Sequence, residues 1–549
     1  MNLGSSTDLA RVRDGLTCRQ WLDKMAGGPF ERFERMLALF THLSRQPLPA
    51  EPTYEILEEA RVTLLKEVDE AVKPLQQMSL PLQLSQLAAL EQIRKCMDML
   101  HQLYRRSYTR MIEAEAIDTR SIIPGAANAM RVVMPLARAL DTQARLIALL
   151  LKLRVEVEAS HWDSLCLLGR YMRQSTFLDE VLIDPIALLK PCTSRATFVY
   201  PILLRLANLP ERSSNQILLI DKLTMRWAAR VGIRIDTPPN LDNQGHGPSI
   251  ELSPDYSVRL DTTRLLKSLF ERKQEWLADP TGKRTAPFTR DELASLMEDL
   301  EGLWSARFKH DFGTPSPQRQ IRLRFGLPRI YGQETGTGDV TLTPAPAATV
   351  GYTYGRLEQN TIMRMTFGAT SKGRSSAELF MTESESAHWL RSDGRRMLFE
   401  RHVVTPSALQ GSLVTMMAVP EILRRKSDDL QERRTAPPVP LMLGLVVGVE
   451  QLMNHSKGLS LHRIVVKSFE ANTTPVGVRE DGNMLFYDAF LLDCVPFSEV
   501  THSIVARRGL LRTGQHVTLR DQSADRHGVL GDLMDEGRMF ERFAVTLKR

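Results

Sequence analysis

The sequence has few of the features that identify metal sites, disulfide frameworks, membrane spans or catalytic centres. Its five cysteines lie far apart and form no Cys-x-x-Cys pair, so neither a zinc knuckle nor a disulfide framework is expected. The longest strongly apolar run, Leu146 to Leu151, is far shorter than the roughly 20 residues of a transmembrane helix. The chain contains neither His-Glu-x-x-His nor Gly-x-Ser-x-Gly. These absences predict a cytoplasmic protein that is not an enzyme and needs no metal or cofactor.

Length and charge limit the domain count and the choice of partners. A chain of 549 residues is too long for one hydrophobic core, so two to four domains are expected. The net charge of +6 is spread along the chain without a polybasic tail. An anionic partner is therefore compatible with the sequence, but direct DNA binding is not expected. The oligomeric state stays open.

The first 310 residues have the apolar period of α-helices. One stripe comprises Phe33, Met36, Leu37, Phe40 and Leu43, and a second comprises Leu84, Leu87, Leu90, Ile93, Met97 and Leu100. Thr289 followed by Glu292 forms a capping box that predicts the start of a helix running toward Phe308. Residues 236–256 are rich in Pro, Gly, Asn and Asp and predict a long surface loop.

After residue 313 the pattern changes to short strands. Ile321, Leu323 and Phe325 alternate with arginines, as in a half-buried strand, and residues 441–449 are almost entirely apolar. Many short strands with glycine-rich turns favour small antiparallel barrels. The sequence therefore predicts an α+β protein with an all-helical domain at 1–310 and one or two barrel modules. We assign a first strand-rich module to 311–420, a charged and proline-containing linker to 421–437, and a second module to 438–549.

The change of period coincides with several family-like segments. Residues 296–331 contain LMEDLEGLWSARF and, after a polar gap, QIRLRFGLPRIY, while residues 403–414 read VVTPSALQGSLV. Later strands read LGLVVGVEQL and LSLHRIVVKSFEANTTPVGV, and the tail runs from SIVARRGLLRTGQHVTLRD to MFERFAVTLK. These segments resemble large bacterial PilZ-domain proteins, in which a helical N-terminal region precedes a PilZ-type barrel.

The resemblance implies a regulatory receptor for cyclic dimeric GMP. Such a site needs arginines, because a planar guanidinium can hold a phosphate or a guanine edge through two parallel hydrogen bonds. It also needs a short Asp/Asn-x-Ser-x-x-Gly turn that presents backbone N–H groups. The residues that the resemblance assigns to the ligand are Arg307, Arg319, Arg322, Ser407 and Gly411. A protein partner is expected to bind the helical domain.

Departures from the family pattern keep a second interpretation open. Asp311 stands four residues after Arg307, where the family has an arginine, and Thr405 stands where Asp or Asn is expected. One extra residue also separates Ser407 from Gly411. The alternative is an adaptor that has kept the barrel, has lost the nucleotide and binds proteins.

A remote alternative is an NTPase. The string Gly368-Ala-Thr-Ser-Lys-Gly373-Arg374-Ser375 has the spacing of a phosphate-binding P-loop, with Arg374 in place of the lysine. Since no strand ending in a metal-binding Asp follows it in a parallel α/β pattern, we interpret the string as a glycine-rich loop.

Overall fold

The structure is a computed structural model of the whole chain. It describes residues 6–46, 48–77, 82, 84–115, 127–174, 177–236, 248–253, 256–278, 288–305, 315–326, 385–392, 396–403, 411–418, 442–452, 460–469, 471–482, 485–493, 501–520, 525–537 and 539–548. The chain divides into two compact units, Met1–His310 and Asp311–Arg549.

The first unit is mainly helical. Its helices are α1 (Ser6–Leu9), α2 (Gly15–Asp23), α3 (Pro29–Arg45), α4 (Ala50–Gln77), α5 (Leu84–Glu115), α6 (Ala127–Lys152), α7 (Ala159–Gln174), α8 (Ser194–Leu206), α9 (Ser214–Trp227), α10 (Thr263–Leu277) and α11 (Arg290–Trp304). Helix α6 packs against α5, α7 and α8, and its described side chains are almost all buried or half-buried. A helix that is covered on every side belongs in the middle of a bundle.

Two sequence predictions for this unit are confirmed in detail. Four of the five residues in the first apolar stripe are buried on α3, whereas Leu37 is half-buried at its edge. The capping box is also present at the start of α11. The Thr289 hydroxyl accepts from the Glu292 backbone N–H at 3.2 Å, and the Glu292 carboxylate accepts from the Thr289 N–H at 2.8 Å. Helix α11 ends at Trp304, four residues before the predicted end at Phe308.

The prediction that the first domain is all-helical is wrong in one place. Strands β1 (Gly232–Asp236), β2 (Ser249–Ser253) and β3 (Tyr256–Asp261) form an antiparallel sheet in the order β1-β3-β2. Strand β2 lies inside the segment that composition assigned to a surface loop. Leu252, Val258 and Leu260 are buried, so apolar burial outweighs the turn-forming residues around them.

A buried network of charges joins three parts of the helical unit. Arg61 of α4 donates to Asp141 of α6 and to Asp184 at 2.8 Å each, and Arg138 also contacts Asp184. Arg145 donates to Asp141 at 2.8 Å. The Arg61, Asp141 and Asp184 side chains are at most 3% exposed. The pKa of Asp141 is lowered although burial opposes this, because Arg145 and Arg61 stabilise its carboxylate.

The described residues of the second unit form strands and the turns between them. The strands are β4 (Pro315–Phe325), β5 (Glu385–Ser392), β6 (Arg396–Val403), β7 (Leu413–Ala418), β8 (Met442–Leu452), β9 (Ser460–Ser468), β10 (Asn472–Glu480), β11 (Tyr487–Asp493), β12 (His502–Arg507), β13 (His516–Arg520), β14 (Asp525–Glu536) and β15 (Phe540–Leu547). All pairings are antiparallel, and the described strands close into two barrels. Their orders are β4-β5-β6-β9-β8-β7 and β10-β11-β12-β15-β14-β13. The predicted α+β class with small antiparallel barrels is therefore confirmed.

The predicted boundary between the two strand-rich modules is wrong. The predicted second module spans 438–549, but β8 and β9 pair with β7 and β6 and complete the first barrel. The physical reason is barrel closure, because β9 and β8 supply the hydrogen-bonding partners for the edges of β6 and β7 that would otherwise be unpaired. The second barrel begins at Asn472. The predicted linker at 421–437 lies outside the described residues.

The two barrels share an apolar interface. Leu413, Leu443 and Phe469 of the first barrel are buried in one cluster with Phe490, Leu492, Val505 and Phe540 of the second. None of these residues belongs to either barrel's own core. Strands β7, β8, β11, β12 and β15 therefore bury side chains on both faces.

Candidate functional site

The structure describes three of the five residues that the resemblance assigned to a ligand. The backbones of Arg319 and Arg322 belong to β4, and Gly411 lies two residues before β7. Arg307 and Ser407 lie outside the described residues. Their assignment stays a prediction, as does that of the other three to a ligand.

The fold does not bring Arg322 and Gly411 together. In the pairing of β4 with β7, Arg322 is opposite Met417, six residues after Gly411 along the chain. At about 3.3 Å per residue this places roughly 20 Å of strand between the two positions. Arg319 lies farther still in the same direction.

Gly411 has a defined backbone geometry. Its φ is +84°, in the left-handed region that favours glycine, and no Cβ is present to oppose it. Its N–H donates to the carbonyl of Val446 at 2.7 Å, and Ser412 accepts from the Val446 N–H at 2.9 Å. The β7–β8 ladder therefore begins at this glycine and holds it firmly.

Polar side chains are buried inside the first barrel near this point. Arg401 is fully buried two residues after the core residue Phe399, and its guanidinium lies 5.0 Å from the centre of the Phe325 ring. Phe325 pairs with Val414, three residues after Gly411. A cation over an aromatic ring in a dry site contributes about 2 kcal/mol. The first barrel thus carries a buried positive charge close to the start of β7.

A buried histidine accompanies this arginine. His462 is paired with Arg401 across β6 and β9, and with Gln451 across β8 and β9, and all three side chains are at most 1% exposed. Burial, aided by the charge of Arg401, lowers the pKa of His462 to about 4. The imidazole is therefore neutral at pH 7, and the cluster carries the single positive charge of the guanidinium.

The start of β7 is also contacted by the second barrel. Gly537, in the β14–β15 hairpin, lies so close to Gly411 that a Cβ placed on Gly537 would stand 2.6 Å from the Gly411 carbonyl oxygen. Real Cβ atoms essentially never approach a neighbouring atom that closely. The two glycines therefore form a backbone-to-backbone contact between the barrels.

An ion-pair cluster holds the same hairpin against the first barrel. The Asp535 carboxylate on β14 accepts from Lys467 Nζ of β9 at 2.7 Å and from Arg542 Nη1 of β15 at 3.0 Å. Arg542 also donates from Nε to the Ser503 hydroxyl at 3.0 Å and lies over the Phe469 ring at 4.7 Å. Only Lys467 has a substantially exposed side chain, at 46%.

Sequence reasoning missed a second arginine cluster, which lies on the second barrel. Arg479 and Arg520 lie 4.7 and 4.0 Å from the centre of the Phe486 ring. The ring packs where a side chain at Gly477 would otherwise stand. A glycine inside an alternating strand was the available signal, since it indicates a close approach. Arg520 is already paired with Asp525, and its pKa is raised by that hydrogen bond. This pairing makes the cluster a poorer anion site than its arginines suggest.

Two further expectations concern metals and membranes. Within the described part of the chain, no group of His, Cys, Asp or Glu side chains is placed to hold a metal ion. The same residues include no helix with the length and hydropathy needed to cross a bilayer. The P-loop-like string at 368–375 lies outside the described residues.

Comparison with known proteins gives one family. Residues 16–239, about two-fifths of the 549-residue chain, match the family described as the N-terminal domain of the cyclic-di-GMP receptor FimW. The matched range covers α2 to α9 and strand β1, including the buried charge network. Searches of curated proteins and of solved structures gave no match. Residues 16–239 are therefore similar to the FimW N-terminal domain family, which supports the resemblance to cyclic-di-GMP receptor proteins with a helical N-terminal region.

Proposed function

We propose that the protein is a non-catalytic regulatory receptor that binds cyclic dimeric GMP on its first barrel. The observation that carries this proposal is the match of residues 16–239 to a domain of a cyclic-di-GMP receptor, in a chain whose described strands after residue 311 form two antiparallel barrels. The bacterial PilZ-type character is part of the proposal. A cytoplasmic location is also part of it, and Cys18, Cys96, Cys166 and Cys192 are free and buried, as expected in a reducing compartment.

The chemistry of the ligand suits arginine-rich strands. Two phosphates and two guanines offer several planar or paired acceptors, which a guanidinium can hold with two parallel hydrogen bonds. Arg319 and Arg322 on β4 and the N–H groups near Gly411 are the candidates for these contacts. Bound ligand would shift the population of barrel conformations, and the helical unit would transmit that shift to a protein partner.

The direct test is calorimetric titration of the full chain with cyclic dimeric GMP. We expect binding in the micromolar range, weakened at least tenfold in Arg322→Ala and in Ser407→Ala, because each removes a phosphate or guanine contact. Arg512→Ala is the matched control, since Arg512 is exposed on a turn of the second barrel. If titration of the parent protein with cyclic dimeric GMP gave no heat of binding, the receptor function would be rejected.

A second candidate function is an adaptor that binds proteins without nucleotide. The observation that favours it is the strand length of roughly 20 Å between Arg322 and Gly411, together with the carboxylate of Asp311 in the sequence. If the parent protein did not bind the dinucleotide in the titration, the adaptor function would be favoured.

The non-catalytic part has its own test. We expect the full chain to hydrolyse neither ATP nor GTP. Hydrolysis that disappears in Arg374→Ala would establish the P-loop-like string as a nucleotide site and overturn this part of the proposal.

A further inference from the structure

The second barrel contacts the first barrel at the residue on which the proposed site depends. Gly411 is the last residue of the signature-like turn, and its carbonyl faces Gly537 of the β14–β15 hairpin. Gly537 has no positive φ in this structure, so its backbone conformation does not require a glycine. The requirement comes from space, because any side chain there would collide with the Gly411 backbone and with the Phe540 ring.

The hairpin has little freedom to move away from that collision. Phe540 is fully buried in the interface between the barrels, and the Gly537 N–H donates to its carbonyl at 2.9 Å. Asp535 is held by Lys467 of the first barrel and by Arg542 of its own barrel. Interiors packed to crystal-like density transmit a displacement instead of absorbing it.

The start of β7 is equally constrained. Leu413, two residues after Gly411, is 2% exposed in the shared apolar cluster, and the Gly411 N–H is bonded to Val446. The position of Gly411 is therefore set from two directions: by the β8 ladder of its own barrel and by the hairpin of the other barrel.

We propose that the β14–β15 hairpin of the second barrel is a positioning element of the ligand site on the first barrel, with Gly537 and Asp535 as its positioning residues. The proposal rests on the proposed function, and it deepens it by making the second barrel part of the receptor site. Neither residue touches the ligand in this account. They act by fixing the Gly411 carbonyl and the N–H groups that follow it.

The test compares two glycine variants of the full chain. Gly537→Ala places a methyl group against the Phe540 ring and 2.6 Å from the Gly411 oxygen, whereas a Cβ at Gly531 would stand 3.1 Å from the Ala544 side chain, within the second barrel alone. Both substitutions crowd β14 or its hairpin, but only the first touches the proposed site. We expect Gly537→Ala to raise the Kd for cyclic dimeric GMP at least tenfold and Gly531→Ala to change it less than twofold.

A second readout separates positioning from loss of folding. The amide hydrogen of Gly411, bonded to Val446, should exchange faster in Gly537→Ala than in the parent, while the core amides of β14 and β15 keep their protection. A general loss of stability would accelerate exchange in all of them. If the Gly411 amide hydrogen exchanged at the same rate in Gly537→Ala and in Gly531→Ala, the proposal would be overturned.

Lys467→Met supplies a variant that should fold without difficulty. The Lys467 side chain is 46% exposed, and its removal breaks the link to Asp535 while leaving the apolar interface intact. We expect a two- to fivefold rise in Kd. A parent that binds, with unchanged Kd in both Gly537→Ala and Lys467→Met, would reject the positioning role alone. A parent that does not bind would remove the proposed function and this proposal with it.

Discussion

The helical unit and the barrel unit hold their parts together by different physical means. The helical unit fixes α4, α6 and the segment around Asp184 through a buried network of arginines and carboxylates. The barrel unit joins two closed sheets through aromatic and aliphatic side chains on their outer faces, with one ion-pair cluster at the edge. Charges require particular partners at particular distances, whereas apolar surfaces require only area and shape.

This difference predicts different roles for the two kinds of contact. Burying a charged pair costs desolvation that its mutual attraction offsets only in good geometry, so the network adds little net stability while fixing where Asp184 sits. Burying a large apolar side chain contributes roughly 1.5–3 kcal/mol. The charge network therefore fixes the positions of the segments that it joins, and the apolar interface holds the two barrels together.

The largest expected effect follows from breaking the charge network. Asp184→Ala would remove one buried carboxylate from both Arg61 and Arg138, which keep only Asp141 and Glu58 as carboxylate partners. We expect a loss of about 3–5 kcal/mol in the free energy of unfolding of the helical unit. Hydrogen exchange in urea, read on peptides of α4 and α6, measures it. Glu298→Gln is the control, because its pair with Lys273 is on the surface, with Glu298 67% exposed, and should change stability by less than about 1 kcal/mol. A loss below that level for Asp184→Ala would contradict the role assigned to the network.

A somewhat smaller effect is expected at the barrel interface. Phe490 is fully buried between the barrels, and Phe490→Ala should lower the free energy of unfolding of the barrel unit by about 3 kcal/mol. The two barrels should then lose exchange protection at different urea concentrations, because their shared surface is reduced. Leu533→Ala, at a side chain 45% exposed, should change stability by less than about 0.5 kcal/mol. Joint unfolding of both barrels in Phe490→Ala would show that another contact couples them.

The smallest effect concerns the pH dependence of the barrel unit. The ordinary pKa of His462 is 6.5, and burial lowers it to about 4 in the folded chain. Between pH 4 and 6.5 the unfolded state therefore binds a proton that the folded state does not bind. Its contribution to stability is present above pH 6.5 and is lost as the pH falls toward 4, at about 1 kcal/mol per pH unit. His462→Gln should flatten the curve of unfolding free energy between pH 4 and 6.5. The exposed His516→Gln should leave that slope as it is in the parent, and an identical slope in His462→Gln would contradict the assignment.

Local signals in the sequence predicted the parts of the fold that local chemistry decides. The capping box at Thr289 and Glu292 specified the start of α11, because both of its hydrogen bonds close within four residues. The stripe on α3 specified which side of that helix is buried. Alternation in Ile321, Leu323 and Phe325 identified the inward face of β4.

Contacts between residues distant in sequence could not be predicted in the same way. The last two strands of the first barrel were assigned to the second module, because nothing local tells a strand which barrel it closes. A signal was nevertheless present. Runs such as Ala489 to Leu492 are apolar at every position, and the structure shows both faces of this strand buried, one in its own barrel and one against the other. An antiparallel strand that is apolar at every position therefore indicates that both of its faces are buried, a signal that the alternation rule alone overlooks.

The sequence by itself determined the change from helices to strands near residue 310, the α+β class and the resemblance to cyclic-di-GMP receptor proteins, because apolar period, helix caps and family-like motifs lie within short segments. Only the tertiary structure decided three other facts. It decided which strands share a barrel, it separated Arg322 from Gly411, and it requires a glycine at position 537. These facts depend on which backbones meet in space, and steric exclusion between two distant glycines leaves no trace in the residues beside either one.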